Sequence, residues 1–173
     1  MKKIKSVHFV GIKGVGMTPL AIIAKEAGFE VSGCDIKDSF ITDDALEKMR
    51  ISVFKGFSQS HVRDVDLVIA TGAHGGLDNI EVKEAKKRGI RFVTQGEAVG
   101  LFMEGSIIGR KFIGISVSGT NGKTTTTGMI ATILKSADFS PSYIIGTSNI
   151  ASLGFAGHLG KGKYFVAEAD EYA

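Results

Sequence analysis

Short apolar runs separated by amphipathic segments recur from the start of the chain. Val7 to Val10 reads as a buried strand, residues from about Gly16 to Ala27 as an apolar-rich helix, and Glu30 to Cys34 as a second strand ending at Asp35. The alternation continues. Thr42 is placed to cap a helix from Asp43 to Arg50, Ser52 to Phe54 and Leu67 to Ala70 read as strands, and Asn79 to Arg88 forms an amphipathic helix stopped by Gly89. Ile90 to Thr94 closes the series. Alternating β and α units of this size predict an α/β fold, with a Rossmann-like, mostly parallel sheet and helices on both faces. This first unit is expected over residues 1–105.

A second α/β unit is expected over residues 106–173. Phe112 to Val117 reads as a strand, followed by a glycine-lysine-threonine turn and a helix to about Ala137. A strand near Tyr143 to Ile145 comes next, then a glycine-rich stretch from Gly146 to Gly162, then the strand Tyr164 to Ala167. A P-loop sheet normally needs more elements than these, so the second unit is expected to be truncated and the chain to be a piece of a longer enzyme.

Composition narrows the class without naming it. With 173 residues and 43% hydrophobic content, the chain has ample material for a packed core. Its net charge of +3 is too mild to indicate nucleic acid, and its few basic clusters, Lys2-Lys3 and Lys86-Lys87-Arg88, suit solvated surfaces. Cys34 is the single cysteine, which excludes an internal disulfide framework and offers no metal-site spacing along the chain. The charged start, Met1-Lys-Lys-Ile-Lys-Ser, leads into His8 and glycines rather than an apolar signal region, and no run approaches the roughly 18 apolar residues of a membrane span. A cytoplasmic protein with no membrane partner is expected.

Three constellations carry chemistry. The first is Ser118-Gly-Thr-Asn-Gly-Lys-Thr-Thr125 between a β-branched strand and a helix. Backbone N–H groups around Gly119 and Gly122 can curl about phosphate oxygens, Lys123 supplies a cation, and Thr124 offers a hydroxyl to Mg²⁺. The spacing departs from G-x-x-x-x-G-K, because Val117 stands where the first glycine would be. The second is Gly11-Ile-Lys-Gly14-Val-Gly16-Met17 after the first strand, with Asp35 about 20 residues on, where an acid often meets a ribose hydroxyl. Its G-x-x-G-x-G spacing differs from the dinucleotide fingerprint, and Asp35 reads equally well as a turn residue. The third is the strand ending in Glu168-Ala-Asp170-Glu171. Hard oxygen ligands at a strand end suit Mg²⁺ beside a phosphate loop, and neighbouring parallel strands would bring Glu168, the acid nearest the strand, to Thr124.

Together these segments resemble the Mur ligases, which are ATP-dependent amide ligases of peptidoglycan precursor synthesis. His8 to Met17, Val31 to Asp35, Gly119 to Thr126 and Val166 to Glu171 stand in the order of that family's motifs, and the resemblance spans nearly the whole chain. It implies a UDP-binding Rossmann-like domain over 1–105, the beginning of a central ATP-binding domain over 106–173, and a third domain that this sequence does not contain. It further implies that Gly119, Thr120, Asn121, Gly122, Lys123, Thr124 and Thr125 bind ATP, with Lys123 catalytic and Thr124 and Glu168 holding Mg²⁺. Gly11, Gly14, Gly16, Met17, Asp35, Thr71 and Gly72 would line the UDP-sugar. The reaction implied joins L-alanine to UDP-N-acetylmuramate through an acyl phosphate, without nucleic acid or membrane.

The sequence departs from the alanine-adding pattern in places. Asn121 stands where histidine is usual, Lys13 and Pro19 replace glycines, Cys34 replaces a frequent serine, and Phe155-Ala-Gly-His158 replaces an Asn-containing segment. Lys13 is read either as a phosphate contact or as a solvated side chain, and His74 as a surface loop residue. Three alternatives stay open on the residues: another Mur-type ligase that recycles muramyl peptides or adds a later residue, a nucleotide or UDP-sugar binding module without ligation, and, disfavoured by its spacing, a nicotinamide-dependent dehydrogenase.

Overall fold

The computed structural model describes residues 4–169. Five parallel strands, β1 (Ser6–Val10), β2 (Glu30–Asp35), β3 (Ser52–Lys55), β4 (Leu67–Ala70) and β5 (Arg91–Thr94), form one sheet in the order β3-β2-β1-β4-β5. All four residues of β4 are buried, as a strand covered on both faces requires. The strand order reverses between β1 and β4, which opens a crevice beyond the carboxyl ends of those two strands.

Helix α1 (Met17–Glu26) follows β1, and every residue from Met17 to Ala24 is buried. A helix that is apolar all round needs cover on both sides. One side meets Val7 and Phe9 of β1. The other faces the strands Gly154–His158 and Ser142–Ile150 of a second sheet, and one hydrophobic cluster joins α1 with Ile144, Phe165 and Ala167, so a single core runs through both sheets. Burying side chains such as Leu20, Ile22 and Ile23 contributes about 1.5–3 kcal/mol each. Pro19 lies in the first turn, where its missing N–H has no intrahelical partner to lose.

The second sheet contains β6 (Ile113–Val117), β7 (Ser142–Ile150), β8 (Gly154–His158) and β9 (Tyr164–Glu168) in the order β6-β9-β7-β8, with α5 (Lys123–Ser136) after β6. Strands β6, β9 and β7 are parallel, and β8 is antiparallel to β7. The glycine-rich stretch Gly146–Gly162, to which the sequence reading assigned no element, thus contains strand. β7 runs on to Ile150 and returns as β8, with a register shift between Ile144 and Asn149. Its glycines hide the strand signal because packing demands them: a Cβ at Gly157 would lie 2.3 Å from the carbonyl oxygen of Pro19.

Two further expectations change. Helix α4 (Gln95–Met103) extends the first unit beyond β5 and was not read from the sequence. Its signal was present in Thr94-Gln-Gly-Glu97, which forms a capping box: Thr94 N–H donates to Glu97 Oε2 at 2.7 Å, and Glu97 N–H donates to Thr94 Oγ1 at 3.4 Å. At α2 (Asp43–Lys48), Thr42 occupies the N-cap position but does not cap through its side chain, because its hydroxyl donates to the Lys13 carbonyl. Asn79 does cap α3 (Ile80–Lys87), accepting from Glu81 N–H at 2.9 Å. Among the described residues no helix is long and apolar enough to cross a membrane.

Candidate functional site

The first glycine turn sits at the crevice where the strand order reverses. Gly11 has φ of +79°, and a Cβ there would stand 2.4 Å from Thr71 Cγ2 at the end of β4. Only glycine lets β1 turn this close to β4. Gly14 accepts the first two N–H groups of α1, from Met17 and Thr18, both at 2.9 Å. Gly16 is the N-cap of that helix, and the Met17 side chain is buried in the shared core. Gly72, beside Thr71, has open space around it.

Asp35 ties this turn together. Its carboxylate accepts from Lys13 N–H and Ile36 N–H, both at 2.8 Å, and lies 3.4 Å from His74 Nε2. The residue is buried, so these donors offset its loss of water. His74 is an exposed loop residue, as expected, but its ring leans on Asp35, and no sequence signal pointed to that pairing. Lys13 is not freely solvated: its ammonium donates to the Asp38 carbonyl at 2.8 Å and pairs with Asp43 at 3.1 Å.

The second turn is the candidate phosphate loop. Gly119 has φ of +145° and Gly122 of +77°, where Gly122 forms the N-cap of α5. Thr120, Asn121, Thr124 and Thr125 are exposed around the helix start. The Lys123 ammonium donates to the Gly119 carbonyl at 2.9 Å, which keeps the cation over the loop.

Glu168 comes to this loop from β9. β6 and β9 pair in parallel with Val117 opposite Glu168, so both strands end at one edge. Thr124 Oγ1 donates to Glu168 Oε2 at 3.1 Å, and Gly146 N–H donates to Glu168 Oε1 at 2.6 Å. A hydroxyl and a carboxylate meeting beside a helix N-terminus form a hard oxygen donor set that fits Mg²⁺. Asp170 and Glu171 lie outside the described residues.

Gln95, at the start of α4, lies between the two turns. Its amide packs against Gly16, where a Cβ would fall 2.0 Å from Gln95 Nε2. Gln95 also lines a cavity of about 280 Å³ with Val99, Ser116 and Glu168. Gln95, packed on the glycine turn of the first sheet, and the carboxylate of the second therefore face a common space. Sequence reading missed Gln95 because it missed α4.

A family model described as "Mur ligase family, catalytic domain" matches residues 6–106. The chain belongs to the Mur ligase family. The match covers the first sheet through α4, including the glycine turn, Asp35 and Thr71. UDP-N-acetylmuramate--L-alanine ligase from Geotalea daltonii is 40% identical over 169 residues, covering 98% of this chain and 35% of that protein. The ligase of the same name from Acetivibrio thermocellus is 42% identical over 171 residues, covering 98% and 34%. The chain thus spans about a third of the length of the curated relatives it matches. Among solved structures, UDP-N-acetylmuramate:L-alanyl-gamma-D-glutamyl-meso-diaminopimelate ligase from Neisseria meningitides superposes with a TM-score of 0.80 at 31% identity, over 98% of this chain and 53% of that one. UDP-N-acetylmuramate-alanine ligase from Thermotoga maritima gives 0.79 at 30% identity, over 94% and 37%. Membership in the Mur ligases sets the dehydrogenase alternative aside.

This family member also carries a buried polar group behind the first turn, whose Gly11 N–H donates to the Cys34 carbonyl at 2.9 Å. Glu81, fully buried in the first turn of α3, accepts from Ser58 N–H at 2.8 Å and faces His8, His61 and Cys34. Burial pushes its carboxyl up, but the donors His8, Cys34 and Ser58 outweigh that and hold it below the usual carboxylate range.

Proposed function

We propose that the chain is the first part of an ATP-dependent amide ligase of peptidoglycan precursor synthesis, acting in the cytoplasm and joining L-alanine to UDP-N-acetylmuramate. In this reading residues 1–105 bind the UDP-sugar and residues 106–173 begin the ATP-binding unit. The observation that carries it is the meeting of Thr124 and Glu168 at 3.1 Å beside a phosphate loop, in a chain whose curated relatives are named for that reaction.

The chemistry needs an acyl phosphate, made when the lactyl carboxylate of the sugar attacks the γ-phosphate of ATP, and then opened by the amine of L-alanine. Positioning and charge neutralisation dominate such a transfer. Backbone N–H groups of 119–125 would cradle the phosphates, and Lys123 would move from the Gly119 carbonyl to the β- and γ-phosphates. Thr124 and Glu168 would hold Mg²⁺, which supplies positive charge against the transferring phosphoryl group. Gly11, Gly14, Gly16, Met17, Asp35, Thr71 and Gly72 would line the UDP-sugar. The cavity shared by Gln95 and Glu168 gives the carboxylate of that sugar a route toward the phosphate loop.

A second reading within the family is recycling of muramyl peptides. It is favoured by the likeness to the Neisseria enzyme, whereas Asn121, where alanine-adding ligases usually carry histidine, fits ligases that add later residues. The two separate in one assay on the protein in its longest natural form. Phosphate release from ATP with UDP-N-acetylmuramate is expected to depend on L-alanine; dependence on a tripeptide instead would transfer the assignment to recycling, and release with neither would sink ligation.

A further inference from the structure

The buried polar group beneath the first sheet is assembled from four separate elements. His8 comes from β1, Cys34 from β2, His61 from the short 3₁₀ turn Gln59–Val62, and Glu81 from the first turn of α3. Their ligand-type atoms, two imidazole nitrogens, a sulfur and a carboxylate oxygen, all lie within 4.8 Å of one another. Glu81 Oε2 is 2.9 Å from His8 Nε2 and 3.0 Å from Cys34 Sγ, and Glu81 Oε1 is 2.8 Å from His61 Nδ1. Nothing in the proposed ligation uses these side chains, although the Cys34 carbonyl accepts from Gly11 N–H at 2.9 Å at the edge of the first glycine turn.

We propose that His8, Cys34, His61 and Glu81 form a binding site for a divalent transition-metal ion of the zinc type. This site stands independently of the ligase reading. A tetrahedral ion with bonds of about 2.0–2.3 Å separates its ligand atoms by about 3.3–3.8 Å, so contacts of 2.8–3.0 Å need to open by less than about 1 Å. Three of the four side chains are fixed by the core: His8, Cys34 and Glu81 have no exposure. The ligand types select the metal, since imidazole and sulfur suit zinc and its neighbours, whereas Mg²⁺ favours the oxygen set at Thr124 and Glu168.

The surrounding hydrogen bonds are those a metal site needs. His8 Nδ1 lies 2.8 Å from Ser32 Oγ, a hydroxyl able to accept from it, so on metal binding the ring proton can move from Nε2, which faces Glu81, to Nδ1 and free Nε2 for the ion. Ser58 N–H orients the other edge of the carboxylate at 2.8 Å. Burial, followed by the charge of Glu81, pushes the Cys34 thiol far up, so the sulfur keeps its proton until an ion displaces it. On binding, the S–H proton is released to solvent and replaced by a metal–sulfur bond, with no change of oxidation state. An access route exists at His61, whose side chain is 16% exposed on a single 3₁₀ turn and stacks on the partly exposed ring of Phe54 at 4.4 Å.

Cobalt(II) titration of the purified 173-residue chain, followed by visible and near-ultraviolet absorption, tests the site directly. Cys34 is the only cysteine, so a sulfur-to-cobalt charge-transfer band can arise from no other residue. One equivalent of Co²⁺ is expected to produce that band together with tetrahedral d–d absorption; Zn²⁺ should displace it and excess Mg²⁺ should not. Cys34→Ser should abolish the charge-transfer band, and His61→Ala, at the rim, should weaken Co²⁺ binding at least tenfold. Absence of the band from the unaltered chain at saturating Co²⁺ overturns the proposal, whatever the variants do. A band whose affinity His61→Ala leaves unchanged, or that Mg²⁺ displaces, also overturns it.

Discussion

Thr124 and Glu168, 44 positions apart, meet at 3.1 Å because β6 and β9 are neighbouring parallel strands that end at the same edge. The hydroxyl and carboxylate are held there by a helix start and by Gly146 N–H, not by each other alone. Glu168→Gln keeps the shape and removes the charge. We expect it to weaken Mg²⁺-dependent ATP binding by about tenfold or more, the loss of ~1.5–3 kcal/mol that an interaction with a charged group represents. Calorimetric titration with and without Mg²⁺ measures this; an unchanged Mg²⁺ dependence would remove Glu168 from the metal site.

Lys123 begins α5 beside the second sheet and Asp35 ends β2 of the first, so the two proposed nucleotide functions should separate. Lys123→Ala is expected to abolish ATP binding while leaving UDP-sugar affinity within about twofold, since sites without shared partners act nearly additively. Parallel titrations of the two ligands on this variant decide it, and an equal loss of both would show one composite site.

Gly157 on β8 presses against the backbone of Pro19 on α1, where a Cβ would lie 2.3 Å from the Pro19 oxygen and 2.5 Å from its Cα. Backbone cannot rotate aside as a side chain can. Gly157→Ala should therefore destabilise by about 1–3 kcal/mol, visible as a lower urea midpoint. With one core running through both sheets, the unaltered chain should unfold in a single transition. Two separate transitions would show that α1 does not couple the sheets.

Tyr143 is buried, and its hydroxyl donates to the Leu153 carbonyl at 3.3 Å. Burial, reinforced by Glu26, raises its pKa from 10.0 to about 12. The unfolded chain then loses this proton at lower pH than the folded one. The contribution is intact below about pH 10 and is lost as pH climbs toward about 12. Melting temperature followed across that window should fall, and Tyr143→Phe should make the fall shallower; an equal slope in the variant would assign the effect to other groups.

The order of elements, the parallel first sheet and both glycine turns were legible in the sequence because each rests on local signals. Apolar runs mark β1 and β4, and Gly119 to Thr125 announce a phosphate loop whichever sheet receives it. Helix α4 was equally local and was overlooked in Thr94 to Glu97. β8 was hidden for a physical reason, since Gly154 and Gly157 have low strand propensity and are present for turn and packing.

The sequence by itself determined the chemistry available: a lysine and threonines at a phosphate loop, carboxylates at a strand end, one cysteine without a partner in sequence. Tertiary structure decided which of these meet. Strand pairing brought Glu168 to Thr124, and the chain crossing put Thr71 against Gly11. It turned His74 toward Asp35 and gathered His8, Cys34, His61 and Glu81 from positions whose spacing carries no motif. Such contacts depend on register and on which face of a sheet a residue occupies, and those are fixed only when the sheets and helices pack.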